Sequence, residues 1–259
     1  MPLTFQQCAF SYRKHQVFSG LDLEFPSGST VLLGPNGAGK STLLGLGASA
    51  LTPASGSVRH RNLDPARRAD RAAYRAAVGW MPQHITPVTG LTVREQVSYA
   101  GWLKGLSRRE AWDRAAVALA DVGLHEQAPR RATELSGGQL RRVGLAEALV
   151  HDAEVILMDE PTAGLDPQQR ETFRRIVGRI AEHTHVIVST HQTEDLTQLY
   201  AMVVVLESGT VRFAGPTGDF LRLGGDDVQG AEDGPTESED ESAESKVGRA
   251  YAQLVTTEV

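Results

Sequence analysis

Gly34-Pro35-Asn36-Gly37-Ala38-Gly39-Lys40-Ser41-Thr42 fits the pattern G-x-x-x-x-G-K-[ST] at every fixed position. The apolar run Thr30-Val31-Leu32-Leu33 precedes it and reads as a buried parallel strand. Thr42-Leu43-Leu44 and the residues after them read as a helix, weakened by Gly45 and Gly47. A turn between a strand and a helix aims successive backbone N–H groups inward, and the helix start adds its partial positive charge. Gly34, Gly37 and Gly39 let the backbone approach an anion without Cβ clashes. Lys40 supplies a cation for the β- and γ-phosphates, and the Ser41 hydroxyl is a ligand for Mg²⁺. The stretch therefore points to a nucleoside triphosphate and says nothing yet about its use.

The rest of the chain bounds that use. It has 259 residues, 41% of them hydrophobic, enough for one α/β domain with a sizeable core or for one domain carrying an inserted lobe. No apolar run is long enough to span a bilayer, and the start does not resemble a signal peptide. Cys8 is the single cysteine and lies in an apolar strand pattern, which suits a reducing compartment and a core role. The expectation is a cytoplasmic protein whose membrane role, if it has one, comes through a partner. The net charge of −6 is unevenly spread. From Asp226 onward ten acids face only Lys246 and Arg249, so this tail carries −8 and the body before it +2. A nearly neutral body leaves no electrostatic footprint for nucleic acid.

Along the chain, Leu3 to Ala9 and the alternating Leu21-Asp22-Leu23-Glu24-Phe25 read as strands, and Gly56 to Arg59 as a further short one. The arginines between His60 and Arg75 read as a solvated face. Val78-Gly79-Trp80-Met81 reads as a buried strand closed by Pro82-Gln83. From Thr92 to Gly123 the apolar period is helical, with capping boxes at Thr92/Glu95 and Ser107/Glu110. Strand signals return only at Val155, so residues 84–135 read as a helical lobe inserted into an α/β core. Ser136 to Val150 reads as a helix, Val155 to Met158 as a buried strand, and Asp166-Pro167 as the start of another helix. Val186 to Val188 is a core strand, a helix follows near Glu194, and Met202 to Leu206 and Val211 to Ala214 are late strands. Alternating strands and helices imply a mainly parallel sheet covered on both faces. Residues 224–245 are acidic and poor in large apolar side chains, which predicts a disordered tether. Val247, Tyr251, Leu254 and Val255 share one helical face, which predicts a short docked helix over 246–259.

Two further groups carry chemistry. Asp159 and Glu160 end the apolar run, where a carboxylate of this topology sits beside the phosphate loop. Asp159 suits Mg²⁺ through water, and Glu160 suits proton abstraction from an attacking water. Leu135-Ser136-Gly137-Gly138-Gln139 stands before a helix. Ser136 alone explains a cap, whereas two adjacent glycines suit N–H groups approaching a second anion.

Together these residues resemble the nucleotide-binding subunit of an ABC transporter, over roughly residues 1–223. Gly34–Thr42 matches the Walker A motif, Val155–Asp159 with Glu160 matches Walker B and the catalytic glutamate, and Leu135–Gln139 matches the signature sequence. Gln83 matches the Q-loop, Gly164-Leu165-Asp166 the D-loop, His191 the switch histidine, and Tyr12 the aromatic that stacks on adenine. The resemblance implies a P-loop NTPase core with an antiparallel N-terminal β subdomain. It also implies ATP and Mg²⁺ as cofactors, and a head-to-tail homodimer holding two ATP between Walker A of one subunit and the signature turn of the other. On that pattern Gly34, Pro35, Asn36, Gly37, Ala38, Gly39, Lys40, Ser41 and Thr42 bind nucleotide in one subunit, and Ser136, Gly137, Gly138, Gln139 and Asp166 act across the interface. Glu160 and His191 serve hydrolysis, Gln83 senses the γ-phosphate, and Ser41, Gln83 and Asp159 serve the metal. The partner implied is a separate membrane permease docked near Gln83 and the helical lobe. Leu91–Gln96, Gly138–Val143 and Arg249–Val255 are similar to bacterial exporters of drugs and natural products. The alternative is a soluble ABC ATPase switch on nucleic acid or ribosomes. Such relatives usually carry two cassettes or a long coiled coil, neither of which is present here.

Overall fold

The computed structural model describes residues 3–191, 199–225 and 239–255, with side chains from residue 246 in the last stretch. The element order is β1 (Leu3–Tyr12), β2 (His15–Phe25), β3 (Ser29–Leu33), α1 (Lys40–Gly47), β4 (Ser55–His60), α2 (Arg71–Ala77), β5 (Val78–Met81), α3 (Val93–Leu103), α4 (Arg108–Asp121), α5 (Gly137–Leu149), β6 (Val155–Asp159), α6 (Pro167–Ala181), β7 (His185–Thr190), β8 (Met202–Glu207), β9 (Thr210–Pro216), α7 (Thr217–Leu223) and α8 (Glu239–Leu254). The expected helix near Glu194 falls outside the described residues, as do residues 226–238 of the tether expected over 224–245.

Two sheets divide the strands. A six-stranded sheet runs in the order β5-β6-β7-β3-β8-β9, parallel except for β9, which pairs antiparallel with β8. A three-stranded antiparallel sheet runs β2-β1-β4. The central strands are apolar through their middles, on both faces, because both faces are covered. Val31, Ile156, Met158, Val186, Val188, Val203 and Val205 point into the larger core beneath the helices. Leu32, Val155, Leu157, Ile187, Val204 and Leu206 point the other way, into a second core closed by α1 and the small sheet. Period-2 alternation thus sorts one apolar run between two cores.

The helices begin where their caps dictate. Thr92, Ser107 and Ser136 each accept from the backbone N–H three residues on, and Glu95, Glu110 and Gln139 reach back to complete capping boxes. Asp166 caps α6 with Pro167 at its first position. Helix α2 arises inside the arginine-dense stretch: its arginines are solvated, while Tyr74 is fully buried and its O–H donates to Gly47 O at 2.6 Å. Two elements differ from the expectation. Helix α7, which buries Phe220, is too short to show a period. Helix α8 begins at Glu239, inside the stretch read as tether. Its Val247 and Ala250 are fully buried, and Arg249 Nε donates to Gly224 O at 2.8 Å. Among the described residues no helix is long and apolar enough to cross a membrane.

Candidate functional site

The phosphate loop connects the end of β3 to the first turn of α1. Gly39 caps α1 with φ 103°, a conformation that costs a glycine nothing and other residues a good deal. Its position is also crowded, with Val17 and Phe18 side chains 3.0 Å from where a Cβ would stand. Asn36 and Gly37 are exposed at the tip, Ala38 is buried, and the Ser41 side chain is exposed where Thr42 is not. Lys40 folds back over the loop: Nζ donates to Gly34 O at 2.7 Å and to Pro35 O at 3.2 Å. Burial pulls the Lys40 pKa below its ordinary value, and the carboxylates of Glu160 and Asp159 oppose that pull.

Asp159 and Glu160 end β6. Glu160 Oε1 lies 3.6 Å from Lys40 Nζ, and its Oε2 accepts from or shares a proton with His191 Nδ1 at 2.8 Å. Lys40, Glu160 and His191 are therefore a continuous chain of polar contacts. Glu160 adopts φ 46°, an unusual conformation for a non-glycine residue. It is held by its own backbone N–H, which is within bonding distance of both Ser189 O (3.2 Å) and Ser189 Oγ (3.0 Å). The same hydroxyl donates to Asp159 Oδ1 at 2.7 Å. Ser189, wholly buried, fixes both acids. The sequence reading passed over it; its signal was two hydroxyl residues, Ser189 and Thr190, ending an otherwise apolar strand.

A second missed support lies at the β8–β9 turn. Gly209 N donates to Ala38 O at 3.1 Å, and a Cβ on Gly209 would overlap Val17 O. This turn braces the phosphate loop from outside. Its signal was Gly209 between two strand-like runs.

The remaining expected residues lie apart from this cluster. Ser136 and Gln139 are engaged with each other in their capping box, and their turn faces a cavity of about 180 Å³ that Gly138, Gln168, Gln169 and Thr172 also line. Gly137 is exposed beside it, and Asp166 is occupied in capping α6, where Oδ1 accepts from Gln169 N at 2.8 Å. Gln83 is exposed, and its backbone carbonyl accepts from Arg141 Nη1. Tyr12 stands at the tip of the β1–β2 hairpin, half exposed, its ring edge-on to Phe10 at 4.9 Å. The structure thus gathers Lys40, Asp159, Glu160 and His191, while the Ser136 turn lines a cavity to which none of these four contributes.

The residues expected to serve a divalent cation, Ser41, Asp159 and Gln83, would offer hydroxyl, carboxylate and amide oxygens, all of them hard donors. That set fits Mg²⁺. Among the described residues no three His, Cys, Asp or Glu side chains converge on a metal position.

The family model described as ABC transporter matches residues 18–163. Two relatives illustrate the range. The linearmycin resistance ATP-binding protein LnrL of Bacillus subtilis is 33% identical over 84% of this chain and 70% of its own length. A phosphonates import ATP-binding protein, PhnC 2 of a Synechococcus strain, is 34% identical over 89% of this chain and 92% of its own. Among solved structures, the dimeric structure of MJ0796, described as a bacterial ABC transporter cassette, shares the fold: TM-score 0.74 and 24% identity, over 83% of this chain and 98% of that one.

Proposed function

Since this chain belongs to the ABC transporter family as an ATP-binding cassette of the ABC ATPase type, we propose that two copies close head to tail around two ATP and drive a separate membrane permease. The observation that carries this reading is the division of the site. One face holds the Lys40–Glu160–His191 chain, and another holds the Ser136 turn, so a second copy related by a two-fold axis is what supplies each face with the other.

In each half-site the loop N–H groups and Lys40 hold the phosphates, Lys40 exchanging its bonds to Gly34 O and Pro35 O for phosphate oxygens. Ser41 and Asp159, with Gln83, would hold Mg²⁺, which when bound would neutralise charge on the phosphates. Glu160 orients the attacking water and takes its proton, and His191, hydrogen-bonded to that carboxylate, keeps it aimed. Ser136, Gly138 and Gln139 of the partner copy cover the γ-phosphate, Tyr12 stacks on adenine, and Asp166 links the two half-sites. Nucleotide closes the dimer and hydrolysis reopens it. Residues 1–223 form the cassette, with the lobe over 84–135 as the permease-facing part and α8 as an appendage docked on α7. The subunit then sits on the cytoplasmic face of the membrane through its permease. Export is the direction we assign, supported by the exporter-like stretches Leu91–Gln96, Gly138–Val143 and Arg249–Val255 and by the resistance protein among its relatives; the importer relative weighs against it.

The test is Glu160→Gln. Light scattering with Mg-ATP is expected to show a stable dimer with hydrolysis nearly abolished. A variant that stays monomeric and turns over at the wild-type rate overturns the reading. Co-purification of the wild-type chain from detergent extract, with identification of the membrane protein it retains, tests the permease and the direction.

A further inference from the structure

Helix α5 presents Arg141, Gly144 and Glu147 at a spacing of three, and so along one face. Arg141 and Gly144 meet the segment that starts at Gln83 directly, and Glu147 meets it through Gln96 of α3. Arg141 Nη1 donates to Gln83 O. A Cβ on Gly144 would overlap Ile85 Cδ1, so the absence of a side chain there seats Ile85 directly on the helix. Glu147 Oε1 accepts from Gln96 Nε2 at 2.7 Å; the same Gln96, almost fully buried, donates to Thr86 O at 3.3 Å and accepts from Val88 N at 2.8 Å. The segment from Gln83 to Val88 is thus held on α5 directly at Gln83 and Ile85, and through Gln96 of α3 at Thr86 and Val88. Arg141 adds a third party: its Nη2 donates to Ala163 O at 3.3 Å, in the turn between Glu160 and Asp166. A planar guanidinium with several fixed donors spans two carbonyls in this way, whereas an ammonium offers one point of charge.

We infer that Arg141 is a positioning residue that locks the Gln83 segment and the Glu160–Asp166 turn to the helix whose N-terminus is the Ser136 turn. The inference rests on the ATP-dimer reading above and deepens it. A displacement of Gln83 by its own subunit's nucleotide is carried along α5 to Ser136, which serves the partner's nucleotide. Arg141 does not touch phosphate in this role; it sets how tightly the two half-sites act together.

The experiment uses the full chain with Arg141→Met, which keeps a long side chain without donors, and Arg141→Lys. Each is measured alone for ATP turnover and in the Glu160→Gln background for ATP-driven dimerisation. Arg141→Met is expected to keep monomer nucleotide affinity within about twofold while kcat falls about tenfold and the dimer requires about tenfold more ATP, the size of effect typical for residues on a coupling route. Arg141→Lys is expected to recover part of both losses. Unchanged kcat and dimerisation in Arg141→Met overturn the inference, as does a loss of monomer affinity as large as the loss in kcat. Should Arg141→Met not fold, Arg141→Lys carries the test, and wild-type behaviour in it is the refuting result. Failure of Glu160→Gln itself to dimerise with ATP overturns the underlying reading, and this inference with it.

Discussion

Glu147→Gln separates charge from shape in the middle of α5. The carboxyl lies between α3 and α5, where burial pushes its pKa up to about 7 against the opposing pull of the Gln96 amide. Displacement from its ordinary 4.5 to about 7 corresponds to a ceiling of about 3 kcal/mol. Between those two values the folded chain keeps a proton that the unfolded chain has already lost. Stability is therefore withdrawn as pH rises through the window and is fully withdrawn above it. Glutamine has the same shape, still accepts from Gln96 Nε2, and never ionises. Glu147→Gln is expected to be the more stable protein at pH 8 by up to about 3 kcal/mol, a Tm gap of roughly 5–10 °C for a chain of this size. The gap closes toward pH 4.5. Two neighbours also titrate abnormally, His151 pushed down to about 4 and Lys104 down to about 8, both by burial first. They are common to both proteins, so the difference between the two curves isolates Glu147. Thermal and urea unfolding of both proteins from pH 4.5 to 8.5 is the assay. A stability difference that is flat across that range, or that grows toward acid, refutes the assignment of the effect to a buried, protonated Glu147.

Ser189→Ala removes a hydroxyl that holds both acids, so kcat should fall about tenfold with the KM for ATP little changed, the cost of losing one hydrogen bond to a buried carboxylate; steady-state kinetics decide, and a pure KM effect contradicts the placement. Gly209→Ala puts a methyl against Val17 O under the phosphate loop, and nucleotide affinity measured by fluorescence titration should drop while the Glu160 environment is untouched. Ser107→Ala deletes one half of a capping box remote from the site, which should cost about 1 kcal/mol in urea unfolding and leave hydrolysis unchanged.

Much of this architecture was legible because its signals are local. The phosphate loop, the three serine or threonine caps and the buried strands each declare themselves within about ten residues, and the strand runs are apolar throughout since both of their faces are covered. The Lys40–Glu160–His191 chain was legible as a set of types, but not as a contact, because its members come from the start of α1 and from just beyond β6 and β7, which are distant in sequence. What escaped was support. Ser189 looks like an ordinary strand-end serine until Asp159 and Glu160 are placed beside it. Arg141 and Arg142 carry no local signal of their contacts, yet the first spans two backbone carbonyls and the second reaches Val122 O and Gly123 O. Helix α2 hid among arginines because its single buried anchor, Tyr74, gives no period.

The strand order has a geometric consequence for the chemistry. β7 lies between β3, which launches the phosphate loop, and β6, which carries the two acids. The cation and the carboxylates are therefore set apart by two strand spacings, about 9.5 Å at the sheet. Long side chains from both banks, Lys40 and Glu160, lean across that channel, and Ser189 with His191 on the middle strand's end forms its bed.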